Sequence, residues 1–565
     1  MVKKQAVIYQ KLLTVIIIIA LIILLFARAF DSVELTDEVH GIASIYNIYL
    51  GKVPFMTSWD YHTGWCLLVP LFALYHKLVP SLSGVVLYFR VIYLLFTGLN
   101  AVIIASLLRD RNNREGGHVG LYVFPILFFV PFSIFQINYN TFVIQVLSLI
   151  SVMLFTSQKS GTETIRYFII GVLMCLNCIT YPTFIVAAIL LAIWIVFENR
   201  SYNWKSKACW YIFGGMMPAV IFIIWIFSKG SFQMFQEALN GMFSSPHEQT
   251  KGAINFEFLL QTFYYPIKTY FLRVFSILIF GYVVAVNMFT KKMSKKAAVT
   301  ASVLFFILYL LLNIWFNREI LGYAEFGILI GVILTVLLLK PSLFKKYAVF
   351  FMMLLLFVLT YSFTSDNKNI FLSFENAGPF IALLVGIVLS ANLPELNSAF
   401  LGFISVALAV SGLSNTYAYI YGDAPIEQLT EQVEYGVYKG LYTTSERKIF
   451  VEKLERELKR IPKNKTVCTV TRAPMVYVMS QAQICAPQTW DAQFLMRGYT
   501  SSKPLMDYFK AINQTPDILV ATSLDVNDFY ENSKYEINTF IESYYTLYYT
   551  NQICGVDIYL WKKDK

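Results

Sequence analysis

Charge is scarce in this chain: 14% of its 565 residues are Asp, Glu, Lys or Arg, against 57% hydrophobic. A soluble protein with a single core cannot carry so large an apolar share, so most of that surface must face lipid. Histidine is rarer still, at five residues, and the seven cysteines are scattered. No His, Cys and Asp cluster has metal-ligand spacing, so neither a metal site nor an organic cofactor is expected. Cys66, Cys175, Cys178 and Cys209 fall in or beside apolar stretches, as small buried hydrophobes do. Cys468, Cys485 and Cys554 lie in a polar tail, where one disulfide would leave one thiol over. No internal repeat is evident, and a soluble domain with a basic face is missing, which excludes a nucleic-acid partner.

What is present is apolar length. Leu12 to Ala29, Gly84 to Leu108, Ala297 to Phe316 and Tyr347 to Phe363 are each long enough to cross ~30 Å of hydrocarbon as a helix. Ala27-Arg-Ala29 has the small-x-small spacing of a cleavage site, but the run before it is long for a signal peptide and is read as a retained anchor. The 48 Phe and 37 Tyr suit lipid-facing helices and interfacial belts.

Residues 1–414 hold 28 Lys and Arg against 17 Asp and Glu, while residues 415–565 hold 17 against 18. The basic excess therefore belongs to the membrane part, where it fixes orientation. Clusters at Lys3, Lys4 and Lys11, at Arg109 to Arg114, at Lys159 and Arg166, at Arg200 to Lys207, at Lys291 to Lys296 and at Lys340 to Lys346 mark cytoplasmic loops. Segments 31–83 and 228–268, among others poor in Lys and Arg, then lie outside. Gly64 to Val79 breaks the alternation if it crosses; it is short, contains Pro70 and ends in His76 and Lys77, so an in-plane or re-entrant helix is expected. The expectation is a polytopic α-helical membrane protein of about thirteen helices in the cell membrane, with a cytoplasmic N-terminus. A transmembrane catalytic domain would cover 1–415 and a small extracytoplasmic α/β domain 416–565. In that tail Ser445 to Ile461 reads as an amphipathic helix, with Ser445 as N-cap and Ile449, Phe450, Leu454, Leu458 and Ile461 as its apolar stripe. Thr466 to Val470, Ile518 to Thr522 and Val556 to Trp561 read as strands.

The first outer loop gathers the chemistry. It holds Asp31, Glu34, Asp37, Glu38 and His40, passes Gly51-Lys-Val-Pro54, and reaches Trp59-Asp60-Tyr61-His62 just before the in-plane segment. Acidic residues in an outer loop can simply be solvated. Polar groups held at a membrane surface beneath a folded domain more often have a task. A carboxylate there can take the proton of an acceptor hydroxyl, and a departing lipid phosphate needs cationic partners.

The order of a first helix, an outer loop opening Asp-Glu, a Gly-x-x-Pro, and Trp-Asp-x-His before an in-plane helix resembles bacterial protein O-mannosyltransferase-like and aminoarabinose-transferase-like enzymes of the GT-C glycosyltransferases. Arg90, the helix count and the exported tail extend the resemblance, whose sharp part is about residues 34–95. It implies a GT-C-like fold and transfer of a sugar, with inversion, from a polyprenyl-phosphate donor in the membrane lipid to a glycan or protein acceptor. It implies Asp37 as catalytic base with Glu38 beside it. Asp60 and His62, with His40, Asn138, Asn140, His247 and Glu248, are candidates for the acceptor or sugar pocket. Arg90, Lys268, Arg273 and Arg318 are candidates for the lipid phosphate. The chain departs from the pattern at Thr63-Gly64, where Pro-Pro often stands, and at Asn138 and Asn140, where relatives often place an acid. Which sugar, which acceptor and what oligomeric state are not implied. The competing classes are a transporter or flippase, a polysaccharide polymerase for lipid-linked sugars, and a receptor scaffold.

Overall fold

The computed structural model describes residues 19–112, 134–156, 163–198, 204–244, 256–266, 341–364, 370–381, 420–490, 503–524 and 536–564, with a few single positions outside these ranges. Its apolar part is helical: α1 (Ile19–Arg28), α2 (Asp37–Tyr49), α3 (Val69–Leu78), α4 (Val85–Asn112), α5 (Tyr139–Phe155), α6 (Glu163–Thr180), α7 (Ile185–Glu198), α8 (Trp204–Phe227), α9 (Phe232–Ser244), α10 (Pro341–Thr364) and α11 (Ile370–Asn376). Among the described residues three helices are long and apolar enough to cross a membrane, at Val85–Leu108, Glu163–Thr180 and Trp204–Phe227. The thirteen crossings expected from sequence are not shown; the expected span Ala297 to Phe316 lies almost wholly outside the described residues.

Small residues set a close contact between two of these helices. A Cβ on Gly171 of α6 would overlap the Tyr211 carbonyl of α8, and one on Gly214 of α8 would overlap the Phe168 carbonyl of α6. Only glycine lets the two backbones approach so closely, and in lipid such packing supplies much of the association energy. Gly64 to Val79 folds as a 3-10 turn at Thr63–Leu68 followed by α3. The ten residues of α3 rise about 15 Å, half the hydrocarbon thickness, so this helix is too short to cross.

The tail forms a five-stranded sheet in the order β4-β3-β5-β7-β6. Here β1 (Glu431–Gln432) and β2 (Tyr442–Thr443) make a separate small pair, followed by β3 (Thr466–Thr469), β4 (Gln483–Ile484), β5 (Ile518–Thr522), β6 (Tyr545–Ile553) and β7 (Val556–Lys563). β3 runs parallel to β4 and β5, whereas β7 is antiparallel to both β5 and β6. Helices α12 (Ser445–Leu458), α13 (Met475–Ser480), α14 (Lys503–Ala511) and α15 (Glu536–Tyr544) complete this α/β region. Two details differ from the sequence reading. The N-cap of α12 is Thr444, whose side chain accepts from the Arg447 amide, not Ser445. Ile449 is exposed, because Phe450, Leu454 and Leu458 repeat every four residues on the buried face and Ile449 sits about 100° away from it. All seven cysteines are free thiols.

The tail was expected to be separate, yet its core is continuous with the loop that follows the first apolar helix. Val33, Leu35, Val39 and Tyr46 share one buried apolar cluster with Val433, Val437, Tyr438 and Tyr477. Backbone bonds stitch the join: Ser32 donates to the Tyr442 carbonyl at 2.8 Å, Tyr442 to Phe30 at 2.7 Å and Trp59 to Pro487 at 2.6 Å. Loop and tail are one packed unit.

Candidate active site

The site grows from α2. Glu34, two residues ahead of the helix N-cap, turns its carboxylate onto the first turn, accepting from the amides of Thr36 and Glu38, both at 2.7 Å, and from the Thr36 hydroxyl. This satisfies donors that a helix start leaves open and places negative charge at the positive end of the helix dipole. Burial, with Asp37 nearby, pushes the Glu34 carboxyl up to about 7.

Asp37 and Glu38 were expected to act side by side. Adjacent residues on a helix point about 100° apart, and these two separate accordingly. Glu38 turns inward, 2% exposed, and forms a two-pronged ion pair with Arg90 of α4, both oxygens at 2.6 Å. Arg90 spends its remaining donors on the carbonyls of Ala29, Asp31 and Ser32, at 2.9, 2.7 and 3.1 Å. Every guanidinium nitrogen is thus engaged within the protein. Arg90, expected at a lipid phosphate, here ties α4 to the loop, and Glu38, expected beside the catalytic base, is its ion-pair partner. A planar guanidinium matched to a carboxylate is the geometry that tolerates such burial.

Asp37 faces the other way. It is half-buried, and one of its oxygens accepts a hydrogen bond from the Tyr421 hydroxyl, contributed by the segment leading into the tail. Asp37, His40 and Ser44 stand three and four residues apart, so they share this face of α2. Asp60 comes to meet them from the end of the loop. Its Oδ2 accepts from the Ser44 hydroxyl at 3.2 Å and lies 3.8 Å from His40 Nε2; its Oδ1 accepts from the His62 amide at 2.9 Å and lies 3.8 Å from His62 Nδ1. Burial pushes the Asp60 carboxyl up to about 6 and His40 down to about 3, which keeps that imidazole neutral at ordinary pH. His62 is more open, its side chain 25% exposed, and stacks on Tyr139 with ring centres 3.6 Å apart. Beside it a small pocket of ≈20 Å³, room for about one water, is lined by His62, Trp65, Asn138, Tyr139 and Thr180.

Local packing holds this geometry. A Cβ on Gly41 would overlap Gln136 and Trp65, so glycine lets the Gln136 amide reach the Glu38 carbonyl at 2.6 Å. Trp59 is buried against Tyr508 of α14 and against Gly241 of α9, where a Cβ would strike its ring. Tyr61 donates to the Met242 carbonyl at 2.6 Å. The part of segment 228–268 that forms α9 thus packs on the first loop. Between α9 and α14 an open cleft of ≈730 Å³ is lined by Trp59, Gln233, Glu237, Asn240, Asp507 and Lys510.

Asp60, His40 and His62 are therefore brought together with Asp37's face of α2. Asn138 serves as N-cap of α5, accepting from the amides of Asn140 and Thr141 at 2.9 Å, and Asn140 is buried in the first turn. The Lys268 ammonium sits 5.9 Å from the Tyr264 ring centre, after a π-helical turn at Leu260–Tyr264. His247, Glu248, Arg273 and Arg318 lie outside the described residues. Sequence reasoning missed Tyr421, Thr489, Trp490 and Arg472, which the tail brings to the loop. Thr489 Oγ1 lies 3.0 Å from His40 Nδ1, the Trp490 ring centre 6.0 Å from that of His40, and the Arg472 guanidinium 5.8 Å from the Trp490 ring centre. Ser44 was within reach, one helical turn beyond His40; the tail residues carry no local signal, being nearly four hundred positions or more from the loop. Among the described residues no group of three or more His, Cys, Asp or Glu is placed to hold a metal ion.

Fold and site together define a largely helical membrane protein in which the loop after the first apolar helix and a C-terminal α/β region make one polar face. A family of unknown function (DUF6427) matches residues 67–247, under half of the chain. No curated protein matches it. Among solved structures the chain is similar to the oligosaccharyltransferase of Archaeoglobus fulgidus in a complex with Zn and sulfate, at 12% identity and a TM-score of 0.47, over 95% of this chain and 72% of that one. It is also similar to the same organism's oligosaccharyltransferase AglB in complex with an inhibitory peptide and a dolichol-phosphate, at 12% identity and 0.44, over 98% and 74%. Superposition this loose leaves residue roles unassigned.

Proposed function

We propose that the protein is a membrane glycosyltransferase that moves a sugar from a polyprenyl-phosphate-linked donor to a glycan or protein acceptor on the extracytoplasmic face, with Asp37 as general base. The observation that carries the reading is the divided helix: Glu38 is neutralised inside the protein, while Asp37, His40, Asp60 and His62 remain on a polar face between apolar helices and the tail. The resemblance of residues 34–95 to GT-C enzymes points the same way. Asp37 takes the proton of the acceptor hydroxyl as its oxygen bonds to the anomeric carbon; the bond from that carbon to the phosphate oxygen breaks, and the electron pair leaves with the lipid phosphate. A single displacement of this kind inverts configuration. Asp60, His40 and His62 shape the sugar or acceptor pocket. With Arg90 committed to Glu38, the cations for the phosphate are Lys268, Arg273 and Arg318, joined by Arg472 on the tail.

Removing the chain from its cells should make a polyprenyl-phosphate sugar accumulate, as read by mass spectrometry of lipid extracts, and the native chain should clear it. Asp37→Asn, present at equal level in the membrane, should not, because losing a general base costs on the order of a hundredfold or more. Clearance by Asp37→Asn rules out this base. A lipid-linked pool unchanged by loss of the chain rules out the activity.

A further inference from the structure

Pro487 to Trp490, the strip of tail after β4, lies against the loop. The Pro487 carbonyl accepts from the Trp59 amide, and Thr489, a residue 1% exposed, sets its hydroxyl 3.0 Å from His40 Nδ1 and 2.7 Å from Ser44 Oγ. Ser44 in turn donates to Asp60 Oδ2. Each hydroxyl has one proton, and that fixes the direction of the chain. With Asp60 ionised, the Ser44 proton is spent on the carboxylate, so Thr489 donates to Ser44. Thr489 then has only a lone pair to offer His40, which must place its proton on Nδ1. The Nε2 lone pair is left facing the polar surface beside Asp60, 3.8 Å away.

We infer that Thr489 is a positioning residue of the transfer site: it holds the His40 ring and sets the tautomer that presents Nε2 to the substrate side, so the C-terminal region is a working part of the active site. The inference rests on the reading of the preceding subsection, and it goes further by making the tail's hydroxyl necessary. The contact is specific to a hydroxyl. Valine has threonine's shape but neither donor nor acceptor, and it would leave His40 Nδ1 and Ser44 without their partner in a buried place. Serine keeps the hydroxyl.

The test uses the full-length chain in membranes, with the polyprenyl-phosphate sugar purified from cells lacking the protein as donor. Thr489→Val should lower kcat about tenfold, the worth of one buried hydrogen bond, with the donor KM little changed. Thr489→Ser should restore kcat to within a fewfold of native. A Val variant at native kcat, or a Ser variant as impaired as Val, overturns the inference, whereas turnover lost in Asp37→Asn but kept in Thr489→Val upholds the activity and rejects the positioning. A second reading needs no turnover: diethylpyrocarbonate modification mapped to each histidine. His40 should react severalfold more slowly in Thr489→Val than in the native chain or Thr489→Ser, because the Nε2 lone pair is no longer fixed toward the surface. An unchanged His40 rate in the Val variant overturns the inference whether or not sugar transfer is found.

Discussion

Two faces of α2 carry polar residues one position apart in sequence, and they meet opposite surroundings. On the inner face Glu38 and Arg90 are buried and fully partnered by each other and by carbonyls. On the outer face Asp37, His40 and Asp60 are met by hydroxyls and aromatic rings from distant segments, and burial shifts the proton affinity of Asp60 and His40 towards their neutral forms. Charge that is saturated within the protein holds elements in place. Burial without a saturating ion pair instead shifts proton affinity, as at Asp60 and His40. Neighbouring acids in a sequence are therefore not a pair until the helix phase is known.

The sharpest way to break this comparison is to remove one half of the inner pair. Arg90→Leu leaves Glu38 buried without compensation and should destabilise the protein by about 3–5 kcal/mol, which reads as loss of folded chain from the membrane. The double variant Arg90→Leu with Glu38→Leu should recover much of that loss, since no buried charge remains. Normal thermal stability of Arg90→Leu would place the framework elsewhere.

A smaller effect belongs to the outer face. A carboxyl raised from 3.8 to about 6 binds its proton more tightly in the folded chain than in the unfolded one, so folding stability falls as pH rises through that window. Glu34, raised to about 7, acts in the same direction; His40, lowered to about 3, acts in the opposite one, losing stability as pH drops below its ordinary value. Comparing the native chain with Asp60→Asn cancels both. Between pH 5 and pH 7 the native chain should lose about 1 kcal/mol more than the variant in thermal unfolding. Parallel curves would show that Asp60 ionises freely and that the outer face is ordinary solvated surface.

The mildest change is Tyr421→Phe, which deletes the hydroxyl that donates to Asp37 and leaves the ring. One hydrogen bond at a half-buried site nets about 1 kcal/mol, so transfer should fall a fewfold without loss of folded protein. A larger fall with intact folding would make Tyr421 part of the proton path; an unchanged rate would detach it from the site.

Much of the outline was legible from residues alone. Hydropathy marks Val85–Leu108 as a span because twenty-odd apolar residues have no other stable home, and the brevity of the Gly64 to Val79 run foretells α3 lying short of a crossing. The strands at Ile518–Thr522 and Val556–Lys563 follow from local β-branched and aromatic runs. The loop was legible as the place where acids and histidines collect. Which acid turns inward was not, because that depends on where α2 begins and on Arg90, fifty-two positions away. Nor was the tail's share in the site, since Tyr421 and Thr489 are unremarkable in their own neighbourhoods.

Composition and spacing by themselves determined that this chain lives with lipid and that its polar chemistry sits just after the first apolar helix, because burial of apolar length and exposure of charge are local, additive preferences. Tertiary structure alone decided that Glu38 pairs with Arg90, that every Arg90 guanidinium nitrogen meets a partner within the chain, and that a hydroxyl more than four hundred residues downstream touches His40. Hydrogen bonds are short and directional, and no one-dimensional pattern records which distant partners will come within 3 Å.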